Sequence, residues 1–224
     1  MTKMETPLCR NRRAGPLSGL GAFVLLLVAL SAGCTDLKRF SYEGFNRDNW
    51  QKPEEVIRSL AIQPGESVAD LGAGGGYFTF RLSRAVGANG KVYAVDVDRG
   101  MVEHLKKRAF EERHQNVAVI MAQYDDPLLP ANGVDLIFVC NTYHHIEDRS
   151  AYFSRAKRYL RPGGRVAIID FTGKNWPERW FVHPVPKEAI RSEMESAGYR
   201  LEGEHGFLPR QHFLIFSKQA DGQS

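Results

Sequence analysis

One stretch constrains this chain more than any other: Val68-Ala69-Asp70-Leu71-Gly72-Ala73-Gly74-Gly75-Gly76-Tyr77-Phe78. A short apolar run ends on an acid, glycines fall at alternate positions, and aromatic and apolar residues then resume. That order spells a buried strand, a tight turn and the opening of a helix. Gly72, Gly74 and Gly76 give the turn access to positive φ and let a ligand come close to the main chain. The unpaired N–H groups at the start of the following helix would face that ligand.

Around this turn the pattern alternates. Gln51-Lys52-Pro53-Glu54-Glu55 opens a helical run with Val56, Ile57 and Leu60 on one face, and Pro64-Gly65 ends it. Strands are expected over 66–71, 91–97, 117–121, 134–140 and 165–171, with helices over 78–86, 101–112 and 149–160. Such alternation predicts a parallel sheet with helices on both faces. The end differs: after a helix over 187–197 come two consecutive strands, 199–205 and 212–217. The expected fold is therefore α/β and doubly wound. Its seven-stranded sheet is mostly parallel, with a C-terminal antiparallel hairpin. A chain of 224 residues suits one such core with appendages.

The glycine turn admits two cofactor classes. A dinucleotide site wants Gly-x-Gly-x-x-Gly, and Tyr77 stands where its third glycine would be. Asp-x-Gly-x-Gly-x-Gly instead resembles motif I of the class I S-adenosylmethionine-dependent methyltransferases, whose variant of the doubly wound fold ends in the same hairpin. The resemblance implies S-adenosylmethionine as cofactor. Gly72, Ala73, Gly74 and Gly76 would pass its methionine part, and Asp70 would help hold the amino-acid end. Acids also follow the next two strands. Asp96, with Val97 beside it, is where a carboxylate would accept from both ribose hydroxyls. Asp125 would accept from the adenine amine, with Asp126 competing for that role, and Asn141 after the fourth strand completes the cofactor set. Helix capping or a solvated turn would explain any one of these acids alone.

The resemblance runs from about residue 50 to residue 218. Val134-Asp135-Leu136-Ile137-Phe138 looks like the family's motif IV. Asn141-Thr142-Tyr143-His144-His145-Ile146 resembles the paired-histidine stretch of small-molecule methyltransferases of the quinone-biosynthesis type. Leu160-Arg161-Pro162-Gly163-Gly164-Arg165 matches their turn before the fifth strand, and Ala197-Gly198-Tyr199 the turn before the sixth. The implied reaction is in-line methyl transfer to a small-molecule acceptor, in which the protein positions the partners and excludes water. Tyr143, His144 and His145 stand where a general base would be, since imidazole titrates near neutrality. Structural packing is the other reading of that pair. No metal site is expected. Two aromatic groups could close the site: Phe40, Tyr42, Phe45 and Trp50 before the domain, and Trp176, Trp180, Phe181 and His183 after the fifth strand.

The N-terminus carries a separate message. Arg10, Arg12 and Arg13 precede an apolar run over 22–30, and Ser31-Ala32-Gly33-Cys34 follows. A positive flank, a short apolar core and small residues read as an export signal over 1–33. The small residues before Cys34 resemble a bacterial lipobox, which implies a lipidated cysteine, membrane association through that lipid, and a location facing the periplasm or cell exterior. Residues 35–52 would be tether and arm, 53–218 the catalytic domain and 219–224 a tail. The formal charge of +4 belongs mostly to the signal, since residues 34–224 carry only +1. No nucleic-acid partner is expected, and a monomer is.

Overall fold

In the computed structural model, residues 46–174 and 183–219 are described. The export signal, Cys34, the tether, Phe40, Tyr42, Phe45, Trp176, Trp180 and Phe181 lie outside them. Two strands form the centre of the sheet, β1 (Ser67–Leu71) and β4 (Val134–Cys140). All of β1 and all but Asp135 of β4 are buried. A parallel strand covered on both faces has no polar side, which is why both read as near-continuous apolar runs.

β2 (Lys91–Asp96) pairs parallel with β1, Val92 opposite Val68, and β3 (Val117–Met121) pairs parallel with β2. On the other flank β5 (Leu160–Phe171) runs parallel to β4. β7 (Gln211–Lys218) then pairs antiparallel with β5, and β6 (Tyr199–His205) antiparallel with β7. The order β3-β2-β1-β4-β5-β7-β6 is the expected mostly parallel seven-stranded sheet with a C-terminal antiparallel hairpin.

Six α-helices among the described residues flank it: α1 (Arg47–Gln51), α2 (Pro53–Ser59), α3 (Thr79–Val86), α4 (Arg99–Glu111), α5 (Arg149–Ala156) and α6 (Lys187–Ser196). Phe153, Ile190 and Met194 of α5 and α6 pack with Ile137, Val139, Ile168 and Phe216 in one apolar cluster. Val56, Leu82 and Val86 of α2 and α3 pack with Val68, Leu136, Phe138, Ile169 and Phe213 in a second. The alternation of inward residues along each strand thus feeds apolar packing on both faces, and Phe80, Ala94 and Leu105 form a third cluster under α4.

Three departures from the sequence reading have local causes. Residues 47–50, expected as part of an arm without a clear period, form with Gln51 a short helix that ends in that buried glutamine. The second strand stops at Asp96 rather than Val97, because Asp98 turns to cap α4 by accepting from the Gly100 and Met101 amides at 2.7 and 3.2 Å. Pro162-Gly163-Gly164 is not a turn before β5 but a bulge inside it. Pairing with β4 resumes from Val134–Leu160 to Leu136–Arg165, so the extra residues loop out.

Candidate functional site

The strand order reverses between β1 and β4, and in open α/β sheets the crevice beyond the carboxyl ends at such a reversal receives ligands. The glycine turn leaves β1 at that crevice. Gly72 has φ +71, and its amide donates to the Val95 carbonyl at 2.8 Å. A Cβ at Gly72 would sit 2.1 Å from Thr142 Oγ1, so the turn and the loop after β4 touch directly. Gly74 is different. It too has positive φ, +52, but open space lies where its Cβ would be. Its amide donates to Asp96 Oδ2 at 2.8 Å, which fastens the turn to the end of β2. Ala73 is buried with its amide on the Val95 carbonyl, and Gly76 packs against Phe80.

Each predicted acid has a distinct environment. Asp70 is 3 % exposed and accepts from Thr79 Oγ1 at 2.6 Å. Burial raises its pKa to about 6, against the opposing pull of the Thr79 hydroxyl and the Arg47 charge. Asp96 accepts two backbone amides, Gly74 on one oxygen and Asp98 on the other at 2.9 Å. Val97 beside it is partly exposed. Asp125 is exposed, whereas Asp126 is committed elsewhere: its carboxylate accepts from Tyr159 Oη, Arg158 and the Leu128 amide. Burial works upward on Asp126, but these donors outweigh it and hold its pKa down. Of the two competing acids, Asp125 is the one left facing solvent. Asn141 takes positive φ, +56, as it leaves β4, and its side-chain oxygen accepts from Gln211 Nε2.

α1 lies against this site. Gln51 is fully buried; its Nε2 donates to Cys140 Sγ at 3.1 Å and to Gln211 Oε1 at 2.9 Å. Burial pushes the Cys140 thiol up to about 12, so it is inert as a nucleophile near neutrality. Arg47 donates to Gln51 Oε1 and lies 3.8 Å over the Tyr77 ring, whose hydroxyl donates to Asp48. Trp50 and Phe171 pack with ring centroids 5.9 Å apart, and the Arg210 guanidinium lies 5.4 Å from the Trp50 ring. The arm's last residues therefore belong to the domain, attached at once to the glycine turn and to the ends of β4 and β7.

The loop after β4 forms one 3-10 turn, Tyr143–His145, and separates its three candidate bases. Tyr143 is a correction. It is fully buried, stacked on Phe153 at 5.5 Å, and its hydroxyl donates to Glu193 Oε2 at 2.7 Å. Burial and the Glu193 carboxylate both raise its pKa, so it is a core residue and not a base. Arg149 grips the same carboxylate through Nε and Nη2 at 2.7 and 2.8 Å, tying the loop to α5 and α6. Tyr143→Phe is expected to cost about 1 kcal/mol and leave cofactor binding intact. Glu193→Ala, which strands the buried hydroxyl, is expected to cost about 2–3 kcal/mol in urea unfolding. His145 is exposed, and desolvation followed by the neighbouring His144 lowers its pKa, so it is neutral at pH 7. His144 is held by Asp170, its Nδ1 2.7 Å from Oδ1. His183 is described and exposed, but the aromatic group it was expected to join is not.

The residues present suit a sulfonium nucleoside with an amino-acid tail. A carboxylate has about four acceptor sites. Two on Asp96 take amides, which leaves capacity for the two hydroxyls of a ribose. The open side of Gly74 is room for a ligand against bare main chain. Asp70 is a buried acid whose charge costs stability, and the ammonium of an amino acid would offset that cost. The sign can be worked out. A folded pKa of about 6 against an ordinary 3.8 makes the Asp70 contribution fully present below pH 4, and it is lost as pH rises through 6. Asp70→Asn is therefore expected to melt higher than wild type at pH 7, by about 2–3 kcal/mol of stability, with the gap closing near pH 4. Thermal melts across that range check it.

Several residues at the site were given no role in the sequence reading: Thr142, Gln51, Gln211 and Asp170. For Asp170 a signal existed, a lone acid near the end of the apolar run of β5.

Residues 68–164 match a family model described as a methyltransferase domain, a span that runs from β1 to the bulge in β5. The fold matches the crystal structure of a SAM dependent methyltransferase from Aquifex aeolicus with a TM-score of 0.71 and 26% identity, over 80% of this chain and 96% of that one. The ubiquinone/menaquinone biosynthesis C-methyltransferase UbiE of Hahella chejuensis is 27% identical over 118 residues, 52% of this chain and 47% of that protein. The 2-phytyl-1,4-naphtoquinone methyltransferase of Trichormus variabilis is 31% identical over 134 residues, 54% of each. The chain spans about half the length of these curated relatives. Together with the glycine turn, these likenesses support the class I S-adenosylmethionine-dependent methyltransferase family.

Proposed function

We propose that this chain transfers the methyl group of S-adenosylmethionine to a small-molecule acceptor. The observation that carries the reading is the glycine turn, with the open side of Gly74 and its amide fastened to Asp96 at 2.8 Å. Asp70 would face the amino-acid end of the cofactor, Asp96 the ribose and Asp125 the adenine. The cofactor supplies an electrophilic methyl group already activated by its sulfonium. What the chain adds is alignment and exclusion of water. Trp50 and Phe171 offer flat apolar surface for the acceptor, and the names of the two quinone-modifying relatives favour a planar one.

Calorimetry of the purified chain with S-adenosylmethionine and S-adenosylhomocysteine tests the first half. Release of S-adenosylhomocysteine in the presence of a metabolite panel tests the second. Binding without turnover would favour a non-catalytic binding protein, and no binding at millimolar ligand would end both readings.

The N-terminal segment extends the proposal: a monomer exported by residues 1–33, lipidated at Cys34 and held at a membrane facing the periplasm or cell exterior. The Arg10–Arg13 charges, the apolar run and the small residues before Cys34 support it. Recovery of the full-length chain in the soluble cytoplasmic fraction would contradict it.

A further inference from the structure

We propose that Asp170 is a positioning residue, which fixes the tautomer of His144 so that Nε2 faces the acceptor as its proton-accepting nitrogen. This deepens the methyltransferase reading and rests on it. Asp170 is fully buried, on the same face of β5 as Val166 and Ile168, where an acid is costly without donors. It has three. Oδ2 accepts from the His144 amide at 2.9 Å; Oδ1 accepts from the Phe171 amide at 2.9 Å and meets His144 Nδ1 at 2.7 Å.

A carboxylate only accepts, so Nδ1 carries a hydrogen, and in the neutral ring the other nitrogen keeps its lone pair. The same carboxylate holds the residue's backbone amide, so ring and main chain share one anchor. It lies 4.0 Å from the His145 ring and 6.4 Å from Phe171, at the edge of the Trp50–Phe171 surface. Its loop packs through Thr142 onto Gly72, so the segment that carries the imidazole is anchored to the glycine turn two residues away. Tyr143 is sunk in the core with its hydroxyl on Glu193, and the exposed His145 has no carboxylate partner among the contacts described.

The step this arrangement serves is deprotonation of an acceptor hydroxyl, amine or acidic carbon. The proton passes to Nε2 while the bonding pair stays on the acceptor atom. That atom bonds the methyl carbon, and the carbon–sulfur pair leaves on sulfur, which becomes a neutral thioether. The imidazolium then returns its proton to solvent.

The test needs neither cofactor nor acceptor, so its failure differs from failure of the methyltransferase reading. Long-range 1H–15N correlation of the histidine-labelled chain at about pH 7.5 reads the tautomer directly, with His144→Gln identifying the resonance. The expected wild-type result is hydrogen on Nδ1 and a bare, downfield Nε2. In Asp170→Ala the two nitrogens are expected to exchange character, the hydrogen moving to Nε2. An Asp170 that merely held the two amides would leave the tautomer unmoved on substitution. Hydrogen on Nε2, or on both nitrogens, in the wild type would overturn the proposal, as would an unchanged tautomer in Asp170→Ala. Should that variant fail to fold, the wild-type tautomer alone decides.

Discussion

Gly72→Ala is expected to lose about 2–4 kcal/mol of stability and to melt roughly 5–15 °C below wild type. Two costs combine. The residue sits at φ +71, where a side chain meets the following carbonyl, and its Cβ would stand 2.1 Å from Thr142 Oγ1 and 2.5 Å from Cγ2. Thr142 leaves the end of β4 on a backbone whose preceding residue, Asn141, is held by the Ile169 carbonyl, so it has little room to yield. The two costs separate in a double-mutant cycle. In a Thr142→Gly background the steric part vanishes, and Gly72→Ala should cost only the conformational part, about 1–2 kcal/mol. Equal losses in both backgrounds would mean that the turn and the loop do not bear on each other. The contact matters for function because it sets the distance between the glycine turn and the histidine loop.

The sheet was legible because each strand announces itself locally. Val134-Asp135-Leu136-Ile137-Phe138 is apolar enough to be a central strand whatever surrounds it, and the alternation with helices dictates parallel pairing. The glycine turn and the acids at the strand ends were legible for the same reason, since type and spacing lie within a few residues. What stayed hidden depends on distant partners. α1 has only five residues, too few to persist alone, and it is fixed by Gln51 reaching Cys140 and Gln211, 89 and 160 positions away. That Asp126 is held by Arg158 and Tyr159 while Asp125 faces solvent is likewise set by partners a local reading cannot see. The three candidate bases share one 3-10 turn, where successive side chains point about 120° apart, so one faces the core while its neighbours do not. Sequence reveals the turn but not its phase, and the phase put Tyr143 inside.

Asp96→Ala is expected to weaken S-adenosylhomocysteine binding by about 100-fold, the equivalent of about 2.7 kcal/mol. Hydrogen bonds to a charged acceptor contribute roughly 1.5–3 kcal/mol each, and a ribose offers two. The same carboxylate anchors the Gly74 amide at 2.8 Å and the Asp98 amide at 2.9 Å, so part of the loss will come from a loosened turn. A 2′-deoxy analogue tells the parts apart. On wild type it should bind about 10-fold more weakly than the parent ligand, because one charge-assisted bond is missing. On Asp96→Ala the two ligands should bind alike, since the group that distinguished them is gone. If the variant still prefers the ribose by the wild-type ratio, Asp96 does no more than tie down the turn, and some other group reads the sugar. Should Asp96→Ala bind both ligands as tightly as wild type, the carboxyl end of β2 is not part of the cofactor site. The ribose would then have to be read by a group elsewhere in the crevice between β1 and β4.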